Sequence, residues 1–281
     1  MNKHNDDCYS VYHLQVDSPT LFDDCVDATF VLTMEGSTRA NKFMEQLYKF
    51  RPTKNVYIIF NKGYKTCDKL DIHDNKIMKS NIDLIDAYVY MLKFSKQMNF
   101  KYVLNLEDDF HFQDDILKNP NHSEEICKFI KFKKPSVYSL GNFNAISLDI
   151  FSIHKRPLEI APAHALILNV DLIDNLLTEF LEKQGTKNFQ LKSIDTSFMS
   201  KVPNSFFYFK PICRQTFPMS ENRKEWDNTI TNFFIKLLYL DTHYEGWDIM
   251  YFLTYFFTTM CIIYIFSFII KKLRGGNTLF L

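Results

Sequence analysis

Apolar positions alternate between short continuous runs and helical spacings along most of the chain. Thr29-Phe30-Val31-Leu32-Thr33-Met34 reads as a buried strand closed by the turn residues Gly36-Ser37. Residues 38–50 place Phe43, Leu47 and Phe50 at helical steps, and Arg51-Pro52 ends that helix. Val56-Tyr57-Ile58-Ile59-Phe60 is a second strand, stopped by Asn61-Lys62-Gly63. A long helix follows through Ile82, Ile85, Val89, Leu92 and Met98, and a third strand covers 101–106. Further strands are expected at 136–140, 166–169 and 206–209, with a helix over 171–182 that Asp171 caps. Strand, helix, strand, helix, strand is the alternation of a parallel sheet flanked by helices, which places the chain in the α/β class. No repeat of 20–50 residues occurs, and no glycine-rich phosphate loop of the GxGxxG or GxxxxGK[ST] kind. A P-loop or dinucleotide-binding enzyme is therefore disfavoured.

One segment has a different pattern. Residues 249–270 are 22 consecutive positions without a charge. As a helix they would rise about 33 Å, enough for a hydrocarbon core of about 30 Å. Lys271, Lys272 and Arg274 follow directly, and Trp247, Tyr251 and Tyr255 near the other end suit an interfacial belt. The segment is expected to be a transmembrane anchor. Its flank, residues 221–248, carries six acids against three bases, so the positive-inside rule puts the basic tail in the cytoplasm. Only 11 residues follow the span, as in tail-anchored proteins whose main domain stays cytosolic. The side of the membrane stays open. The resulting map is a polar N-terminal segment (1–27), a globular domain (28–228), a juxtamembrane segment (229–248), the transmembrane helix (249–270) and a basic tail (271–281).

Composition narrows the function classes. The 33 Lys+Arg balance the 33 Asp+Glu, which removes a basic nucleic-acid surface as an explanation. With 46% hydrophobic and 23% charged residues the chain is ordinary for a globular protein, and wholesale disorder is excluded. The six cysteines are dispersed, without a CxxC pair or zinc-type spacing. With Cys261 inside the apolar run, five remain and cannot all pair, so a reducing compartment is expected. The acidic N-terminal stretch lacks the apolar region of a secretory signal.

The chemistry concentrates in Glu107-Asp108-Asp109, three acids at the carboxyl end of an apolar strand. Adjacent carboxylates in a partly buried place raise one another's pKa, and a divalent cation removes that penalty. Hard oxygen ligands select Mg²⁺, Mn²⁺ or Ca²⁺. In open α/β sheets, ligands sit outside the carboxyl ends of the strands, where these acids lie. An acidic loop capping the next helix is the alternative, which Asp114-Asp115 fits better.

The segment YVLNLEDDFHF resembles the metal-binding acidic motif of sugar-nucleotide glycosyltransferases of the GT-A fold. Its surroundings are most similar to glycosyltransferase family 25, the lipopolysaccharide type. An early strand, a polar stretch and an Arg are matched by FVLTMEGSTRANKF, which offers Arg39. A THAY-type element is matched by Ala163-His164-Ala165, a short segment with an Asp by Ser193-Ile194-Asp195-Thr196, and a closing Gln and Ser by Gln215 and Ser220. The family's GCxxSH element is missing before the long helix, and Leu166 stands where the family has an aromatic. The resemblance spans residues 29–222. It implies a GT-A-like mixed sheet flanked by helices and a divalent cation, Mn²⁺ or Mg²⁺, held by Glu107, Asp108 and Asp109. Arg39, His164 and Gln215 would bind substrate, and Asp195 would be the base taking the acceptor hydroxyl proton. The partners implied are a nucleotide-sugar donor, a glycan or protein acceptor, and membrane lipid, with no nucleic acid. His164 and Arg39 read equally as a core histidine and an exposed helical arginine, and Asp195 as a helix cap. The expected protein is a membrane-anchored, metal-dependent glycosyltransferase. The competing classes are a non-catalytic membrane protein that keeps the fold for binding and a metal-dependent phosphohydrolase. Asn121-His122-Ser123 is a formal glycosylation sequon, relevant if the domain is lumenal.

Overall fold

The computed structural model describes residues 3–142, 146–147, 149, 151–158, 160, 162–183, 194–217 and 229–275, without the side chains of 3–4, 195–196, 229–231 and 273–275. Among these, ten strands form a mixed eight-stranded sheet, in the order β1-β3-β2-β4-β8-β6-β9-β7, and a two-stranded ribbon of β5 and β10. Four central strands are β2 (Ala28–Met34), β3 (Asn55–Asn61), β4 (Tyr102–Glu107) and β8 (Ala165–Asn169). The edges are β1 (Tyr9–Gln15) and β7 (His154–Lys155), with β6 (Val137–Ser139) and β9 (Ser205–Tyr208) toward the β7 side. β3 and β4 run parallel to β2, whereas β8 runs antiparallel to both β4 and β6. The short ribbon consists of β5 (Phe110–Phe112) and β10 (Cys213–Gln215).

Strand alternation divides the core into two layers. Phe30, Leu32, Val103, Leu166 and Leu168 face α2 (Ser80–Gln97) and α5 (Val170–Glu182). Val31, Leu104, Leu106, Ala165 and Ile167 face α1 (Ala40–Phe50) and α4 (Asn121–Lys133) on the other side. A four-residue helix, α3 (Asp115–Lys118), lies between the ribbon and α4. The expected helix end at Arg51 is realised as a left-handed residue (φ 47°) whose N–H bonds to Leu47 O. Asn169, not the expected Asp171, caps α5, its side chain accepting from Leu172 N. The N-terminal segment, expected to lie outside the domain, contributes β1, which pairs along its whole length with β3.

Two disulfides, Cys8–Cys67 and Cys25–Cys127, overturn the expectation of a reduced chain. Four of the six cysteines pair without needing the remaining two: Cys213 is an apolar core residue and Cys261 sits on the apolar helix. Five cysteines outside the apolar run allow two pairs and one buried free thiol, so an odd count does not exclude disulfides.

The chain continues through α6 (Thr229–Leu237) into α7 (Gly246–Gly275), of which Gly246–Lys272 is long and apolar enough to cross a membrane. Phe252, Phe256, Phe257, Tyr264, Phe266 and Phe268 are all exposed, so α7 beyond its first turns is not a core helix of this domain. Trp247 departs from the interfacial position expected for it. It is fully buried within the domain, in a cluster with Phe217, Ile235 and Leu240.

Candidate functional site

The carboxyl ends of β2 and β4 lie side by side, with Leu32 opposite Glu107 in the register. The end of β2 supplies Thr33, the turn after it Ser37 and Arg39, and the turn after β4 supplies Asp108 and Asp109. Parallel pairing therefore brings a cation and the acids together from segments some 70 residues apart. Asp108 is held on both oxygens. Oδ1 accepts from Arg39 NH1 at 2.6 Å, while Oδ2 accepts from Thr33 Oγ1 at 2.8 Å and Ser37 Oγ at 2.7 Å.

Asp109 is different. Its side chain is 14% exposed, with Oδ2 3.7 Å from Arg39 NH1. Its Oδ1 is buried and has no hydrogen-bond partner. Burial raises the Asp109 pKa from 3.8 to about 7, Arg39 opposes the rise, and the Asp108 carboxylate adds to it. Burial also works against the Arg39 charge, but Asp108 and Asp109 outweigh it and raise the guanidinium's pKa.

The ribbon and the start of α7 roof this corner. Gln215 stands opposite Phe110 in the β5–β10 register, and Trp247 Nε1 donates to Gln215 O at 2.7 Å. His111 and Tyr244 stack with ring centroids 4.1 Å apart. Burial raises the Tyr244 pKa, and the charge of Asp109 adds to it, so this tyrosine lies close to the acids. Arg214 pairs with Asp248. Gln215 Oε1 and Arg214 Nε are, like Asp109 Oδ1, buried without a partner. Buried polar atoms in folded proteins are nearly always bonded, and leaving one unmet costs about 1–3 kcal/mol. Six such atoms occur among the described residues. Tyr102 Oη and Asn105 Oδ1 lie on β4, while Asp109 Oδ1, Arg214 Nε, Gln215 Oε1 and His164 Nδ1 gather within and beside one short ribbon, a place that a polar ligand would complete.

The other expected residues fall into place differently. His164 is fully buried, so as placed it cannot reach a diphosphate or a metal shell. Its Nε2 bonds to Cys213 O at 3.1 Å, and since a carbonyl only accepts, that nitrogen carries the proton. Burial lowers its pKa to about 4, keeping the ring neutral. Gly141 makes this contact possible: a Cβ there would come within 2.0 Å of Cys213 O and 2.5 Å of His164 Nε2. His164 therefore fixes the start of β10. Asp195 belongs to the π-helical turn Ile194–Phe198, and its side chain lies outside the described residues. Ser193, Ser220 and Asn222 lie outside them as well. Phe110 and Phe112 are core residues.

Among the described residues no group of three or more His, Cys, Asp or Glu is arranged to hold a metal ion. Asp108, expected as one of three ligands, is instead spent on Arg39, Thr33 and Ser37, whose donors satisfy it. An all-protein cage does not fit here. A magnesium-like ion that takes one or two carboxylates and completes its shell from substrate phosphates and water does fit, with Asp109 Oδ1 as the available oxygen. The roof of Gln215, Tyr244 and Trp247 was not legible in the sequence. Trp247 next to an apolar run looked like a membrane-interface residue. The one hint was Gly246, where a Cβ would lie 2.4 Å from Leu238 O, a close approach that needs glycine.

No family model matches the chain, and no curated protein matches its sequence. Among solved structures it is similar to the crystal structure of A197 from STIV, at 13% identity and a TM-score of 0.37, over 69% of this chain and 86% of that one. A likeness of that degree carries neither a fold assignment nor a chemistry.

Proposed function

We propose that the chain is a membrane-anchored glycosyltransferase of the GT-A-like class, moving a sugar from a nucleoside-diphosphate sugar to an acceptor hydroxyl with the help of a divalent cation. The observation that carries this reading is the unmet Asp109 Oδ1 beside Arg39, at the carboxyl ends of two parallel strands. That is where ligands bind in sheets of this type.

Each residue then has a distinct task. Asp109, with Glu107 beside it, would hold Mn²⁺ or Mg²⁺, which supplies Lewis-acid stabilisation of the diphosphate leaving group when bound. Asp108 fixes the Arg39 guanidinium and ties the turn after β2 to the turn after β4. Arg39 would face the donor diphosphate, for which its planar donors are suited. Gln215 presents an unmet oxygen in the roof, suited to a sugar hydroxyl. Asp195 remains the base proposed from the sequence resemblance.

The reading also takes α7 as the anchor, with the domain on the oxidising face of the membrane. Two disulfides favour that face, and so do Lys271, Lys272 and Arg274 as a cytoplasmic tail. Both weigh against a tail-anchored, cytosolic arrangement.

The test is turnover and binding by the full chain in detergent, with UDP-, GDP- and CMP-sugars, with and without Mn²⁺. Metal-dependent release of a nucleoside diphosphate from one donor, lost in Asp109→Asn, is the expected result. Failure of every donor to bind or turn over would refute the proposal.

A further inference from the structure

We propose that the β7 edge of the sheet is a second membrane contact: an apolar knuckle beside the anchor that seats in the headgroup region of the bilayer. The inference rests on the reading of α7 as a transmembrane helix. Around β7 and the end of β9, Phe151 is 94% exposed, Leu158 61%, Ile153 45% and Phe209 38%. Single exposed apolar residues are ordinary on a protein surface, but a group of four needs a reason.

The four are not scattered. Phe151 and Ile153 lie within three residues before β7, Leu158 lies three residues after it, and Phe209 directly follows β9, which pairs with β7. Phe209 N donates to Ile153 O at 2.8 Å, which joins two of them directly. Tyr251 Oη donates to Phe209 O, and Lys155 Nζ lies 4.7 Å from the Tyr255 ring centroid. The knuckle is thereby bound to α7 at two points one helical turn apart.

Helix length fixes its depth. The apolar stretch Gly246–Lys272 is 27 residues, which rises about 40 Å against a hydrocarbon core of about 30 Å. With Lys271 and Lys272 at the far boundary, about seven residues at the near end stand outside the hydrocarbon. Tyr251 and Tyr255 then straddle the near boundary, where tyrosines are favoured, and whatever they touch lies at the same level. Arg156, exposed beside β7, has its guanidinium 5.6 Å from the Phe206 ring and would sit among lipid phosphates. Apolar side chains ringed by a cation at the acyl–headgroup boundary have the composition of an interfacial anchor. The occupant is the lipid bilayer itself.

Depth measurement in the full chain tests this. An environment-sensitive fluorophore is placed at Phe151→Cys, and separately at Leu158→Cys, in a Cys261→Ser background. The protein is reconstituted into phosphatidylcholine–phosphatidylglycerol vesicles that carry quencher lipids at defined depths. Tyr12→Cys on β1, at the opposite edge of the sheet, is the aqueous reference. The expected result is a blue-shifted emission at 151 and 158, with quenching within about 10 Å of the headgroup boundary, and neither effect at 12. Water-like emission at both positions, in protein that still resists alkaline carbonate extraction, would overturn the knuckle while leaving the anchor in place. Protein that washes off with carbonate would remove the anchor reading, and the knuckle with it.

Discussion

Two buried charge clusters in this molecule differ in whether the fold completes them. On the β1–β3 side, Lys69 is fully buried, and its ammonium donates to Tyr9 Oη, Asn61 Oδ1 and Asp83 Oδ1, each at 2.7 Å, with Asp86 Oδ2 at 3.3 Å. Three protons meet partners on every side, and the Cys8–Cys67 disulfide closes the same region. On the β4–β5 side, Arg39 satisfies Asp108, but Asp109 Oδ1, Arg214 Nε and Gln215 Oε1 stay unmet. A complete network stabilises one arrangement of the chain; an incomplete one costs stability until something binds. The acidic corner has the second character, which is why the proposed chemistry is assigned there and not around Lys69.

The comparison yields predictions that differ in sign. The largest effect is expected from Lys69→Met, which leaves the buried Asp83 and the half-buried Asp86 without their cation. Breaking a buried pair from one side costs about 3–5 kcal/mol, so urea unfolding should show a large loss of stability. A near-neutral result would mean that the Lys69 cluster is not the structural one. Next, Cys8 and Cys67 close a loop with a sequence separation of 59. Replacing both with serine should cost about 2–4 kcal/mol by the same measurement.

Asp109→Asn should act the other way. The folded pKa of Asp109 is about 7, above the ordinary 3.8 of the unfolded chain. Its charge therefore costs nothing below about pH 4, a growing amount as pH rises toward 7, and its full amount above that. The variant should match the wild type at pH 4 and exceed it at pH 8, by about 1–3 kcal/mol once remaining exposure and the Arg39 partner are allowed for. Equal curves at both pH values would contradict the burial of an incompletely paired carboxylate. The smallest change is expected from Gln215→Met, which removes an unmet oxygen. Its effect on stability should lie within about 1 kcal/mol of zero, where loss of a bonded buried amide would cost more.

How far the sequence discloses these features depends on local pattern against long-range contact. β2, β3, β4 and β8 are buried on both faces, so they stand out as continuous apolar runs. β1 is an edge strand with the polar pattern YSVYHLQ, and β5 and β10 are three residues each; none has a run long enough to read. α4 hides its apolar positions Ile126, Cys127 and Ile130 among charges. The acidic corner is legible as three acids after an apolar strand. Which oxygen is left over is not, because that depends on Thr33 at the end of β2 and Ser37 and Arg39 in the turn after it reaching across to occupy Asp108. The disulfides and the burial of Trp247 are likewise set by contacts between distant segments.

We propose that Asp109 Oδ1 is left unmet for a cation and its phosphate ligand. Calorimetric titration of Mn²⁺ into the detergent-solubilised full chain, in the presence of UDP as the nucleoside diphosphate, tests it most directly. Saturable binding to the wild type is expected, abolished in Asp109→Asn while the variant remains folded and, at pH 8, more stable. Binding of equal strength to both proteins, or to neither, would contradict it.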